Sequence, residues 1–312
     1  MNVVALVVTY NRKVLLLECV NALLNQSTSV STILIVDNAS TDHTYEALSE
    51  NGFIDNPSVV YEQMKENTGG AGGFSFGMKR AMELKPDYVW IMDDDTIPTK
   101  TALEELIKAT KITPHETSFW ASAVYGVNGE YMNIPELDVR LSESDYPCWY
   151  DHLKDGMVRI QNATFVSLLI NADAICNCGV PLAFYFIWGD DTEYTLRLTT
   201  FYGPAYFVGN SVVTHKRGLA KAISLQNETN SNRIKFFYYK IRNQLINMAT
   251  YKNYNTGKLD EMLRSYQRLF LKLLLGIHCK RDKDKAMLVY RAVKDYKTKN
   301  YDTDAFDDRL KF

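Results

Sequence analysis

"YVWIMDDDTIP" (88–98) is the stretch on which the reading of the fold turns. Five strand-like residues run directly into three consecutive carboxylates, Asp93, Asp94 and Asp95. Adjacent anions repel, and each costs free energy when taken from water unpaired. A buried strand that ends in this way needs something positive beside it.

Upstream, the same kind of strand recurs. "VVALVVTY" (3–10) is a continuous apolar, β-branched run, the pattern of a strand covered on both faces. "VLLLECVNALLNQ" (14–26) has helical spacing, and "ILIVDNAS" (33–40) is a second buried strand that stops at Asp37. "STDHTYEALSE" (40–50) opens with Ser, Thr and Asp, the residues that cap a helix start. "SVVYE" (58–62) is a third strand, and "NTGGAGGFSFGMKRAME" (67–83) reads as a glycine-rich turn entering a helix with Phe74, Met78 and Ala81 on one side. Four strands alternate with three helices within about 95 residues, which predicts an α/β fold with a doubly wound, mostly parallel, Rossmann-like sheet. Ligands of such sheets bind beyond the carboxyl ends of the strands. Here those ends carry Thr9, Tyr10, Asn11 and Arg12, then Asp37 and Asn38, then the loop 67–73, then the aspartate triplet.

The composition is that of a globular protein: 312 residues, 46% hydrophobic and 23% charged, with a net charge of -2 that gives no reason to expect nucleic-acid binding. The charge is unevenly spread. Residues 233–300 hold 17 Lys or Arg against 5 Asp or Glu, whereas residues 1–232 hold 16 against 28. The expected organisation is a catalytic domain at 1–218, split into halves at 98/99, and a basic helical extension at 219–312. Cys19, Cys148, Cys176, Cys178 and Cys279 form no CxxC pair and no zinc spacing, which points to a reducing compartment. The N-terminal apolar run lacks a basic segment before it and ends at Asn11-Arg12, so it predicts a first strand and not a signal peptide. "LFLKLLLGI" (269–277) is too short to span a bilayer and contains Lys272. A cytoplasmic protein, in solution or peripheral at the inner membrane face, is expected.

Several residues admit two readings. Asp37 suits a nucleotide ribose hydroxyl or amide, and it also suits capping of the following helix. The loop "ENTGGAGG" (66–73) has neither GxGxxG, since Ser75 stands at the third position, nor GK[ST]. Its glycines permit close backbone approach to a ligand, while Gly77 reads as helix packing. Alternate carboxylates of the triplet, Asp93 and Asp95, suit a hard cation such as Mg²⁺ or Mn²⁺ that bridges protein and diphosphate. The alternative is a solvated acidic turn. In "WGDDTEY" (188–194), Asp190 and Glu193 share a face if helical, and a carboxylate there suits proton removal from an attacking hydroxyl. Acids at a helix start are also stabilised by about 0.3–1 kcal/mol each. His215, in "NSVVTHKRG" (210–218), follows another strand and reads as ligand or as structural histidine.

"VVTYNR" (7–12), "IVDNASTD" (35–42), "NTGGAGGF" (67–74), "DDD" (93–95) and "WGDDTEY", in that order, resemble family 2 glycosyltransferases of the GT-A fold. The resemblance covers roughly 1–218. Within the family the chain is similar to bacterial galactofuranosyl- and rhamnosyltransferases, which share the glycine-rich stretch and a segment matching Tyr238, Tyr239, Arg242 and Asn243. It implies metal-dependent, inverting transfer from a nucleotide diphosphate sugar to a glycan acceptor. Thr9, Asn11, Arg12, Asp37 and Asn38 would hold the nucleotide, with Asn67, Gly70, Asp93 and Asp94 beside the donor. Asp93, Asp95 and His215 would hold Mn²⁺ or Mg²⁺. Asp191 would be the general base, with Asp190, Glu193 and Trp188 binding the acceptor. "DDD" is closer to the galactofuranosyltransferases, which implies UDP-galactofuranose, with dTDP-rhamnose as the alternative donor.

Two other classes compete. A sugar nucleotidyltransferase would need a glycine-rich basic loop after the first strand, where "VVTYNRK" (7–13) has no glycine. A non-catalytic carbohydrate-binding module would not need both acidic clusters. In the basic tail, "RSYQRLFLKLLLGIHCKRDKDKAMLVYRAVKDYKTK" (264–299) alternates apolar and cationic positions, with Leu269, Leu273 and Ile277 on one side and Lys272 and Lys280 elsewhere. Such a helix suits an anionic membrane surface and a lipid-linked acceptor, or packs on the protein or on another subunit of an oligomer.

Overall fold

β1 (Val3–Thr9) forms where a strand covered on both faces is expected, and all seven of its residues are buried. In the computed structural model, which describes residues 1–217, 224–251 and 258–302, β1 lies inside a set of four parallel strands. β2 (Thr32–Asp37) and β4 (Tyr88–Asp93) flank it, and β3 (Val59–Gln63) pairs with β2. α1 (Lys13–Leu24), α2 (Thr44–Glu50) and α3 (Gly69–Glu83) make the connections. The period-2 alternation of β1 divides the core. Val3, Ala5 and Val7 pack with Leu16, Cys19, Val20 and Leu23 of α1, while Val4, Leu6 and Val8 pack with Phe74, Met78 and Ala81 of α3. The order β3-β2-β1-β4 reverses between β1 and β4, which makes their carboxyl ends the switch point of the sheet.

The sheet continues through β9 (Leu168–Asn171), β6 (Phe119–Tyr125), β10 (Ala205–His215), β8 (Met157–Asn162) and β7 (Glu136–Leu137), and β5 (Thr96–Pro98) pairs with β10. Most strands share the direction of β1, while β5, β8 and β9 run against it. This is the mostly parallel α/β sheet that the sequence predicts. α4 (Ala102–Thr110), α5 (Ala172–Cys178) and, from Tyr194 onward, α6 (Asp190–Phe201) complete this region.

Three local expectations need correction. The glycine run is not a turn before the helix but the first turns of α3 itself, which begins at Gly69 with φ 75°. A Cβ on Gly73 would stand 2.6 Å from Val8 Cγ1, and one on Gly77 would stand 2.5 Å from Leu6 Cδ1, so these glycines let α3 lie close on β1. The Ser/Thr/Asp cluster does not cap α2. That helix starts at Thr44 behind His43, whose φ is 62°, with no side-chain cap. Asp42 instead accepts the Lys13 N–H at 3.1 Å and the Thr44 hydroxyl at 2.5 Å. The basic tail is two helices. α8 (Lys258–Leu275) ends before Gly276, whose φ of 74° turns the chain, and α9 (Lys283–Lys297) follows. Leu269 and Leu273 pack inward, but Ile277 lies beyond the end of α8.

The chain divides into two compact units, Met1–Ala183 with Tyr194–Ala220, and Phe184–Glu193 with Lys221–Phe312. The expected boundary at 218/219 falls outside the described residues. In the second unit, α7 (Ser231–Thr250), α8 and α9 enclose Phe237, Ile241, Leu245, Leu273, Ala286, Val289 and Ala292. Asn230 and Asp282 cap α7 and α9 through their side chains. No helix among the described residues is long and apolar enough to cross a membrane.

Candidate active site

The positive partner of the aspartate triplet is Arg12, at the carboxyl end of β1. Its Nη1 lies 2.5 Å from Asp95 Oδ2 and 3.4 Å from Asp94 Oδ1. The guanidinium is half exposed and both carboxylates are buried. Asp94 turns toward β1, where the Thr9 hydroxyl donates to its Oδ2 at 2.7 Å. Burial pushes the Asp94 carboxyl up to about 6; Arg12 and Thr9 oppose that rise and Asp95 adds to it. Burial acts on Asp95 in the same sense, but His215 and Arg12 outweigh it and hold this carboxyl below its ordinary value.

Asp93 and Asp95 are brought together with His215. Each offers one ligand atom, and these atoms lie within 4.8 Å of one another. Strand pairing explains the convergence. Asp94 and Asp95 form the turn between β4 and β5, β5 pairs with β10 so that Thr96 lies opposite His215, and the Lys216 N–H donates to the Asp95 carbonyl at 2.8 Å. His215 Nε2 is 3.0 Å from Asp95 Oδ1, but not in hydrogen-bond alignment, and this buried oxygen has no donor. An orphaned carboxylate oxygen, a second carboxylate and an imidazole nitrogen make a donor set that fits Mn²⁺ or Mg²⁺.

A second group joins the ends of β1 and β2 to the loop before α3. The Asp37 carboxylate accepts the Ser40 N–H at 2.7 Å and the Tyr61 hydroxyl. Asn38 donates to the Gly69 carbonyl at 2.8 Å and to Asn67 Oδ1 at 3.1 Å, and it accepts the Thr68 N–H at 3.0 Å. Asn11, with φ 54°, donates its N–H to Ser40 Oγ at 2.9 Å and accepts the Thr41 N–H at 2.7 Å. A Cβ on Gly70 would meet nothing within 4 Å. Tyr61 was not singled out by the sequence reading. Its signal is its place in β3, paired with Ile35 of β2, two residues before Asp37.

The second acidic cluster lies in the second unit, where α7 holds it by side-chain hydrogen bonds. Phe186, Trp188 and Gly189 all have positive φ, at 63°, 61° and 94°. Such a backbone persists only when its surroundings over-determine it. Arg242 donates to the Phe184 carbonyl at 2.7 Å. Asn243 donates to the carbonyls of Tyr185, Ile187 and Trp188 at 2.9, 3.2 and 2.8 Å. Asn247 donates to the Gly189 carbonyl at 2.8 Å and accepts the Tyr185 hydroxyl at 2.6 Å. Tyr251 donates to Glu193 Oε1 at 2.8 Å. Asp190, Asp191 and Glu193 form the first turn of α6. Trp188 stacks edge-on against Phe236 and Phe237. Burial raises the Asp191 carboxyl above its ordinary value, against opposing hydrogen bonds that involve Thr192 and Gly189. Burial, Asp191 and Glu193 raise Asp190 too. Asn247 and Tyr251 had been missed; their signal is the four-residue spacing from Asn243 along one helix face.

Comparison with known proteins agrees with this fold. Residues 4–148 match the family model described as Glycosyl transferase family 2. The chain is 35% identical over 209 residues to galactofuranosyltransferase GlfT1 of Mycolicibacterium smegmatis, a match covering 63% of this chain and 65% of that protein. It is 34% identical over 95 residues to GlfT1 of Mycobacterium tuberculosis, covering 30% of each chain. The chain thus spans just under two thirds of the first of these relatives and under one third of the second. Among solved structures, S. aureus TarS 1-349 superposes with a TM-score of 0.63 at 15% identity, covering 99% of this chain and 82% of that one. GalNAc-T7, solved with UDP, GalNAc and Mn²⁺, superposes with a TM-score of 0.63 at 15% identity, covering 95% and 55%. In sequence, residues 4–148 of this chain thus resemble glycosyltransferase family 2, and its sheet has the GT-A fold.

Proposed function

We propose that this chain is a metal-dependent, inverting galactofuranosyltransferase that moves galactofuranose from UDP-galactofuranose to a hydroxyl of a bacterial surface glycan. The observation that carries the reading is the convergence of Asp93, Asp95 and His215 at the switch point of the sheet. The GlfT1 relatives support the sugar.

Asp93, Asp95 and His215 would hold Mn²⁺ or Mg²⁺, which as a Lewis acid neutralises charge on a departing diphosphate. Thr9, Asn11, Asp37 and Asn38 hold the nucleotide, and Asn67 and Gly70 line the donor. Asp94 keeps Thr9 and Arg12 in place beside it. Arg12, paired with Asp94 and Asp95, would offer its guanidinium to the diphosphate once a cation takes up the charge of Asp95. Trp188, Asp190 and Glu193 bind the acceptor, and Asp191 takes the proton from the attacking hydroxyl. The hydroxyl attacks the anomeric carbon opposite the leaving UDP, so one displacement inverts that centre.

The acceptor in this reading is lipid-linked, and the protein works at the cytoplasmic face of the membrane. α8 exposes Arg264, Arg268, Leu271, Lys272 and Leu275 on one side, a mixture of cationic and apolar groups that suits an anionic lipid surface.

Nucleotide release from a panel of sugar nucleotides tests the donor. UDP-galactofuranose should be turned over fastest. Preference for dTDP-rhamnose would replace the sugar and keep the reaction class, and release from none of them would leave only the fold.

A further inference from the structure

Among the described residues, His215 Nδ1 faces one polar atom within hydrogen-bond distance, Asn133 Oδ1 at 2.9 Å. Asn133 lies in the connection between β6 and β7, with φ 48°, a left-handed backbone that Asn tolerates better than most residues. Its neighbours Tyr131 and Ile134 are 75% and 76% exposed, yet its own side chain turns inward to a histidine that is 4% exposed. The amide is fixed at its other end, since Asn133 Nδ2 donates to Thr164 Oγ1 at 3.0 Å. With the NH₂ turned to Thr164, Oδ1 is the acceptor that faces His215, and a hydrogen on Nδ1 completes that bond. The opposite amide orientation would require Nε2–H, and the oxygen next to Nε2, Asp95 Oδ1, receives no aligned hydrogen.

We propose that Asn133 is a positioning residue that fixes His215 as the Nδ1–H tautomer, so that the Nε2 lone pair points to the space shared with Asp93 and Asp95. Its value to catalysis rests on the metal reading above. A histidine that ligates through one nitrogen is oriented by the hydrogen bond of the other, and loss of such a partner typically weakens metal binding about 10–100-fold. The connection from β6 to β7 thus contributes to the site through one side chain, although none of its residues would touch the cation.

The test has two parts. In metal-free protein with ¹⁵N-labelled histidine, at a pH where the ring is neutral, the His215 signals, assigned by their loss in His215→Gln, should show Nδ1–H. Asn133→Ala should abolish that preference and weaken Mn²⁺ binding, read by electron paramagnetic resonance of free Mn²⁺, about 10–100-fold. Asn133→Asp, which keeps an acceptor, should restore most of the affinity. Nε2–H in the wild-type protein overturns the proposal whether or not the alanine variant folds, and so does Mn²⁺ affinity within twofold of wild type in Asn133→Ala. Wild-type protein that takes up no Mn²⁺ yet shows the Asn133-dependent tautomer supports the assignment and overturns the metal reading instead.

Discussion

Asp191→Asn keeps the shape of the side chain and removes its ability to accept a proton. A general base typically supplies about 10²–10⁴-fold, so kcat should fall by at least that much while UDP binding persists. The pH profile adds a second readout. A base works only when deprotonated, so activity is lost as pH falls through its pKa. Because the Asp191 carboxyl is raised, the acid limb should lie above the ordinary carboxylate range and vanish from the residual activity of the variant. Asp190 gives the matching stability prediction. Its folded-state pKa is above its unfolded value, so its stabilising contribution is full below the unfolded value and is lost as pH rises through the folded one. Asp190→Asn should therefore raise Tm at neutral pH, by about 2–4 °C for each kcal/mol relieved, and have no such effect near pH 3. An equal gain at both pH values would contradict the burial explanation. At the aspartate triplet, Arg12→Ala removes the nearest cation from three carboxylates. Mn²⁺ binding without nucleotide should tighten and UDP binding should weaken, and calorimetry reads both.

At the scale of elements, α3 offers a paired test. A Cβ on Gly70 meets open space, so Gly70→Ala should stabilise the helix by up to about 1 kcal/mol. If the donor passes that surface, the same substitution raises its KM. Gly77→Ala drives a Cβ toward Leu6 and Val36, and overpacking of this kind costs about 1–3 kcal/mol, more than helix propensity returns. Thermal melts and donor KM values separate a packing glycine from a substrate-facing one. What was legible here followed period and strand-end chemistry: β1 to β4 read cleanly because their runs are apolar and end at polar residues. β5, three residues long, was not legible, because its existence depends on pairing with β10 far along the chain. For the same reason the sequence could nominate His215 but not show how it reaches the triplet. Asn133 carried no signal, since its role arises from two contacts distant in sequence.

For the whole molecule, the basic C-terminal third has a packing role that its charge pattern did not reveal. α7 supplies Arg242, Asn243, Asn247 and Tyr251 to the segment bearing the second acidic cluster. Asn243→Ala should leave UDP affinity unchanged while kcat and acceptor KM deteriorate, because only the acidic loop loses its support. The exposed Arg264, Arg268 and Lys272 make the membrane contact separately testable, since salt-sensitive co-sedimentation with anionic liposomes should disappear when all three become Glu. Calorimetric titration of UDP into the full chain with and without Mn²⁺, repeated on Asp95→Asn, tests most directly whether the acidic end of β4 grips a nucleotide diphosphate through a cation. UDP should bind tightly only with Mn²⁺ present, and the variant should lose that enhancement. Equal UDP binding with and without Mn²⁺, or an enhancement that survives in Asp95→Asn, would contradict it.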